Sequence, residues 1–241
     1  VSPEKISELM AAEWARFSES TLASGAENML AKVSSPLGVT SSFQYWDPHP
    51  ISVVSAKGAW MTDVDGRELL DLSMGFGAML AGHLNSEVVA ETKAALDGGT
   101  LFVTPSPISR DGAERLCKRF EIDQVRFANS GTEATMYAVR TAKAFTGKSA
   151  IVKVEGGYHG SYDPLTVSAK PDLDKAGDPE EPTPVIGHGI NAGVVFVVPY
   201  NNLEALEKIF ARDHDSIACF IVEPVLENLG IVLPDAGYLA G

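Results

Sequence analysis

Apolar and polar positions change rhythm along this chain. Near the N-terminus Ile6, Met10, Trp14 and Phe17 recur on one face of a helix, behind Ser2 and Pro3, a cap followed by proline at the first helical position. A second helix, broken near Gly25, is expected to carry Met29, Leu30 and Val33. These stripes have the form of a face packed on the rest of the fold or on a partner subunit. After a Ser-, Gly- and Pro-rich loop at 34–50, three short strands are expected at 51–55, 59–62 and 68–72. Lys57-Gly58 and Asp63-Val64-Asp65-Gly66 supply the turns of an antiparallel meander. Ser86 is placed to cap a helix bearing Val89, Lys93 and Leu96, and a further helix after Pro107 aligns Ala113, Leu116, Cys117 and Phe120.

From residue 125 the pattern alternates. Continuously apolar runs at 125–128, 150–154, 194–198 and 217–222 read as strands. A helix at 132–145, stopped by Gly147, and another capped by Asn201 lie between them. Strands without polar alternation are buried on both faces, so the fold class is α/β, with a doubly wound, mostly parallel sheet. Residues 1–72 are assigned to N-terminal helices and the small antiparallel sheet, and 73–241 to the first part of a large domain. The loop at 168–193, rich in proline and acidic residues, is expected to be a lid or disordered.

Charge and composition narrow the partners. The formal net charge of −13 excludes nucleic acid and anionic membrane as main ligands, yet leaves room for a local anion pocket. No apolar run approaches the roughly 18 residues that span a bilayer. The start Ser2-Pro3-Glu4-Lys5 carries no secretory signal, and Cys117 and Cys219 read as reduced, apolar-patterned residues, so a cytoplasmic location is expected. His159 and His188 lack acidic or thiol partners at metal-ligand spacing, so no metal site is expected, and Asp63-x-Asp65-Gly66 reads as a plain turn. The Gly-x-Gly at Gly75 and Gly77 lacks the third glycine of a dinucleotide fingerprint.

Chemistry concentrates in two stretches. At Asn129-Ser130-Gly131-Thr132-Glu133-Ala134 an apolar run stops and a helix begins, with Ser130 and Glu133 at capping-box spacing. Such a mouth offers unpaired N–H groups, two hydroxyls and a partial positive charge, which suits a phosphate. A capping box serves equally to cap a helix and nothing more. The second stretch, Glu155-Gly156-Gly157-Tyr158-His159-Gly160, sets an aromatic ring and an imidazole in a Gly-rich loop at a strand's end, where open α/β sheets bind ligands.

Together the two motifs resemble the class III pyridoxal-phosphate-dependent aminotransferases, in particular the glutamate-1-semialdehyde aminomutase branch, over residues 34–241. The resemblance implies the fold-type-I architecture, pyridoxal 5'-phosphate as cofactor and a homodimer. It assigns the phosphate anchor to Ser130, Gly131 and Thr132, ring stacking to Tyr158, with His159 beside it. Val222-Glu223-Pro224-Val225-Leu226-Glu227-Asn228 resembles another family motif and gives cofactor-binding roles to Glu223 and Asn228; Glu223 serves as readily as an arginine's partner. Phe76 and Gln44 fall where the family lines its substrate pocket. The branch's arginine for the substrate carboxylate is replaced by Gln44, which cannot make the bidentate ion pair.

The implied activity is amino-group transfer from a small-molecule donor to a carbonyl acceptor, through a lysine Schiff base and pyridoxamine phosphate. Two alternatives stay open: the aminomutase itself, and a non-catalytic binding or assembly module. Lys143, Lys148 and Lys153 match no Schiff-base motif. The catalytic lysine and the ring-nitrogen aspartate are expected beyond Gly241, where the implied fold should continue.

Overall fold

The computed structural model describes residues 2–241, which form two compact units, one ending at Ser106 and the other spanning Pro107–Gly241. In the first, α1 (Pro3–Ser20) starts as its cap-and-proline signal requires, with Ser2 Oγ accepting the Lys5 N–H at 3.3 Å. α2 (Leu22–Ala31) follows after Thr21 alone. The break expected near Gly25 falls instead at Thr21, which leaves helical φ/ψ and donates its hydroxyl to the Phe17 carbonyl at 2.6 Å. Gly25 lies inside α2, where a Cβ would stand 3.1 Å from the His49 ring, so its smallness makes room for an imidazole. Val33 lies past the helix. On α1 only Phe17 of the four-residue stripe is half-buried, with its ring 5.2 Å from that of His49. Ile6, Met10 and Trp14 stay exposed.

The meander forms as expected, with strands β1 (Val53–Lys57), β2 (Trp60–Asp63) and β3 (Glu68–Leu70) in the order β1-β2-β3 and antiparallel throughout. Its tandem acids hold structure. Buried Asp63 accepts the Arg67 Nε–H at 2.7 Å and backbone N–H at 2.8 Å. Asp65 reaches back to the start of α2, accepting from Ala23 N at 2.7 Å, Ser24 N at 3.0 Å and Ser24 Oγ at 2.6 Å. These bonds, the Ser24 hydroxyl foremost, hold its pKa below the usual carboxylate value. Asp71 similarly accepts from Ser73 N at 2.9 Å and Met74 N at 2.8 Å and pairs with His83 Nε2 at 2.7 Å, anchoring the loop that carries Phe76. Helix α3 (Ser86–Leu96) is capped by Asn85, not Ser86. The Asn85 backbone is non-helical, and its Oδ1 accepts from Glu87 and Val88 N–H at 3.1 Å each.

The second unit opens with α4 (Pro107–Phe120) and α5 (Gly131–Thr146), which ends at left-handed Gly147, φ 71°. Then come β4 (Ala150–Val154), the single turns α6 (Asp163–Thr166) and α7 (Leu173–Ala176), a small hairpin of β5 (Gly177–Asp178) and β6 (Glu181–Pro182), β7 (Val195–Val198), α8 (Leu203–Asp213) and β8 (Ile217–Ile221). The parallel sheet runs β7-β4-β8. Ala150, Val152 and Val154 face one side with Leu206, Ile209 and Phe210 of α8. Ile151 faces the other with Val139 of α5 and Leu165 of α6. Helices therefore cover both faces, and β4 is buried at all five positions, Lys153 included, as its largely apolar, non-alternating run requires.

Three local expectations are corrected. Residues 125–128 are not a strand, because no described segment pairs with them, and an apolar run without a ladder partner has nowhere to place its backbone hydrogen bonds. Helix α8 is capped by Asn202, whose side chain accepts from Ala205 N at 2.9 Å. Asn201 takes a positive φ of 62° and ties to Leu233 and Asp235 instead. The loop at 168–193 is partly ordered: Ser168 exchanges two hydrogen bonds with Val185 at 2.9 Å each, and Asp172 caps α7. No helix among the described residues is long and apolar enough to cross a membrane.

Candidate functional site

The helix mouth and the Gly-rich loop meet at the carboxyl end of β4. Ser130, in extended conformation, caps α5 by accepting the Glu133 N–H at 3.1 Å. Glu133 turns back to accept the Asn129 N–H at 2.6 Å, one residue earlier than in a reciprocal capping box. The N–H groups of Gly131 and Thr132 find no acceptor among the described residues, as expected of the first positions of a helix. The Thr132 hydroxyl accepts the Ser161 N–H at 3.1 Å, which leaves its own proton to give away.

Across from this mouth, residues 156–160 turn sharply. Gly160 has φ +88°, and a Cβ there would stand 2.5 Å from Thr132 Oγ1, so only glycine lets the loop approach α5 this closely. Thr135, one turn into α5, donates its hydroxyl to the His159 carbonyl at 2.7 Å. Ser130, Gly131, Thr132, Thr135, Tyr158, His159 and Gly160 together line a cavity of about 360 Å³.

His159 is buried, and its Nε2 has no hydrogen-bond partner. Burial first, and the Lys153 ammonium second, push its pKa down to about 4, while Glu223 opposes them. The ring is therefore a neutral imidazole near pH 7. Lys153, fully buried in β4, donates from Nζ to the carbonyls of Gly157 at 2.9 Å and Val167. Burial pushes its pKa down to about 8 against the pull of Glu223 and Glu155. Burial also raises the pKa of Glu155, whose Oε1 is buried without a partner. Glu223, just past β8, accepts the Tyr158 N–H at 2.7 Å through Oε1 and the Glu227 N–H at 3.2 Å through Oε2.

The structure thus brings Ser130, Gly131, Thr132, Tyr158 and His159 to one cavity, with Glu223 behind the loop. Asn228 lies exposed in the turn after Glu223 and is outside the cavity lining. Gln44 and Phe76 belong to the other unit. Gln44 turns its amide oxygen onto its own loop, accepting from Thr40 N at 3.1 Å, Thr40 Oγ1 at 2.9 Å and Ser41 N at 3.2 Å. Phe76, at φ 54°, meets the ring of Phe43 edge-on at 6.0 Å. Sequence reasoning missed Thr135, Gly160 and Lys153. Thr135 had a signal in its spacing of three from Thr132, and Lys153 in being the charged residue of an otherwise apolar run.

Fold and site define an α/β domain with an anion-receptive helix mouth at the end of its central strand. The chain belongs to the class-III aminotransferase family, whose sequence profile matches residues 43–241. Glutamate-1-semialdehyde 2,1-aminomutase of Methanocorpusculum labreanum is 41% identical over 212 residues, 87% of this chain and 50% of that protein. An omega-transaminase from Sphaerobacter thermophilus superimposes with a TM-score of 0.86 at 31% identity, covering 90% of this chain and 51% of the other. A transaminase solved with PLP bound gives 0.83 at 34% identity, covering 91% and 51%. The chain spans about half the length of the relatives it matches.

Proposed function

We propose that the whole protein transfers amino groups with pyridoxal 5'-phosphate, from a small-molecule amino donor to a carbonyl acceptor. The observation that carries this reading is the open mouth of α5 facing Tyr158 and His159 across one cavity. A phosphate monoester fits that donor set: two free N–H groups, the hydroxyls of Ser130 and Thr132, and the positive end of α5. Tyr158 would cover the ring with neutral His159 beside it, and Asn228 would reach the phenolic oxygen. When bound, the cofactor supplies the electron sink that lets an amino group leave one carbon and join another. Ser130, Gly131 and Thr132 would hold that group by its phosphate, and Tyr158 would orient its ring. A homodimer is the matching assembly, supported by the exposed Ile6, Met10 and Trp14 of α1.

A second reading, aminomutase action within one substrate molecule, is favoured by the 41% identity to an enzyme of that name. Gln44 favours transfer between molecules, because an amide cannot neutralise a substrate carboxylate as arginine does. Two measurements on the full-length protein test the proposal. Thr132→Val should weaken cofactor binding by about 1–3 kcal/mol, the range for a hydrogen bond to a charged group; unaltered affinity would contradict the assigned anchor. Turnover that requires an added keto acid supports transfer, whereas 5-aminolevulinate formed from the semialdehyde alone establishes the mutase.

A further inference from the structure

Two hydrogen bonds described above close on the same peptide group. The Gly157 carbonyl accepts from Lys153 Nζ at 2.9 Å, and the N–H of the next residue, Tyr158, donates to Glu223 Oε1 at 2.7 Å. These are opposite edges of one planar unit, so a cation grips one edge and a carboxylate the other. The two grips come from different elements, β4 and the segment following β8. The orientation of that plane sets the direction in which the backbone presents the Tyr158 Cα, since ψ of Gly157 and φ of Tyr158 turn about its two ends. Neighbouring bonds secure the turn just before it: Gly156 N–H to Ser168 O at 2.7 Å and Gly157 N–H to Val154 O at 3.2 Å. A Cβ on Gly157 would lie 3.2 Å from His159 Nε2, so the gripped unit is also packed.

We propose that Lys153 is a positioning residue: with Glu223 it clamps the Gly157–Tyr158 peptide and so sets the angle at which the Tyr158 ring meets the cofactor. A fully buried lysine is rare among proteins, because its ammonium must leave water. An apolar residue would suit the sheet better at this position and could not reach the Gly157 carbonyl with a donor. The consequence for the ring rests on the cofactor reading above, and the clamp itself on the two hydrogen bonds to one peptide. Each therefore has its own readout.

In the cofactor-free full-length protein, Lys153→Met should speed amide exchange of Tyr158 by about tenfold or more, the exposure expected when a charged partner is lost. In the loaded protein, Lys153→Met should lower pyridoxal phosphate affinity by about tenfold and change the visible circular dichroism of the bound cofactor. Tyr158→Ala alone should cost a similar factor. The double variant should bind no more than about twofold worse than Tyr158→Ala, because a lysine acting through the ring has nothing left to position. Exchange unchanged in Lys153→Met, or losses that multiply in the double variant, would overturn the clamp. Should Lys153→Met not fold, Glu223→Gln keeps an acceptor for the Tyr158 N–H and Glu223→Leu does not. The clamp requires that only the latter loosen Tyr158, and equal exchange in both would overturn it. A wild-type protein that binds no pyridoxal phosphate removes the proposed function and leaves the exchange result to decide the clamp.

Discussion

Replacing Lys153 by methionine should change how stability depends on alkaline pH. The lysine is fully buried, and burial pushes its pKa from 10.5 down to about 8, with Glu223 and Glu155 too weak an attraction to restore it. Between those values the folded protein has released the proton and the unfolded chain still holds it. Stability therefore rises with pH across this window and is lowest, as far as Lys153 contributes, below pH 8. The whole displacement corresponds to about 3 kcal/mol, and about 2 kcal/mol of it accrues between pH 7.5 and 9.5. The hydrogen bonds to Gly157 and Val167 do not enter this difference, because a neutral amine still donates both. Methionine removes the titration and leaves two carbonyls without a donor, so it should be the less stable protein throughout. Denaturant unfolding of both proteins at pH 7.5 and 9.5 reads the effect. The gap should widen by about 2 kcal/mol at the higher pH; parallel pH curves would refute the reasoning.

Three further outcomes are expected. Gly160→Ala forces a Cβ to 2.5 Å from Thr132 Oγ1 at a φ of +88°, so it should cost about 1–3 kcal/mol in thermal or chemical unfolding and displace the cofactor anchor. His159, with its pKa lowered to about 4, is neutral when folded, while the unfolded residue protonates near pH 6.5. Stability should therefore fall as pH drops from 6.5 towards 4, and His159→Gln should flatten that limb; an acid limb identical to wild type speaks against a buried neutral ring. Gln44→Arg should raise activity towards carboxylate-bearing substrates in the full-length protein if residue 44 borders the pocket, and specificity constants for paired substrates with and without the carboxylate decide it.

What could be read from the sequence was what is local. Ser130 caps α5 because capping is settled within four residues, and Gly147 ends the helix because a left-handed residue is needed there. β4 was legible to the residue, since burial on both faces gives a largely apolar run between polar Ser149 and Glu155, with Lys153 its one charged position. Where two neighbours compete, the sequence does not choose. Asn201 and Asn202 are equally good caps, and the choice falls on Asn202 because Asn201 is committed to Leu233 and Asp235 about 30 residues away. Residues 125–128 fail as a strand for the converse reason: pairing is a property of a neighbour, and apolar character cannot supply one. Within the site, Thr132 and His159 were visible as chemical types in motifs. Gly160 and Lys153 gain their meaning only from what the fold brings against them, a threonine hydroxyl in one case and a single peptide group in the other.

The carboxylate of Asp65 has a consequence in time. It caps a helix that precedes it by about 40 positions, accepting from Ala23 and Ser24. That helix, α2, has 10 residues, fewer than the roughly 12–15 at which an isolated helix becomes even marginal in water. On a ribosome adding about 5–20 residues per second, α2 waits about 2–8 s for the residue that finishes its first turn. Its completion is tied to the arrival of the β2–β3 turn. Synthesis thus delivers the helix well before the carboxylate that completes its first turn, and the two become stable together.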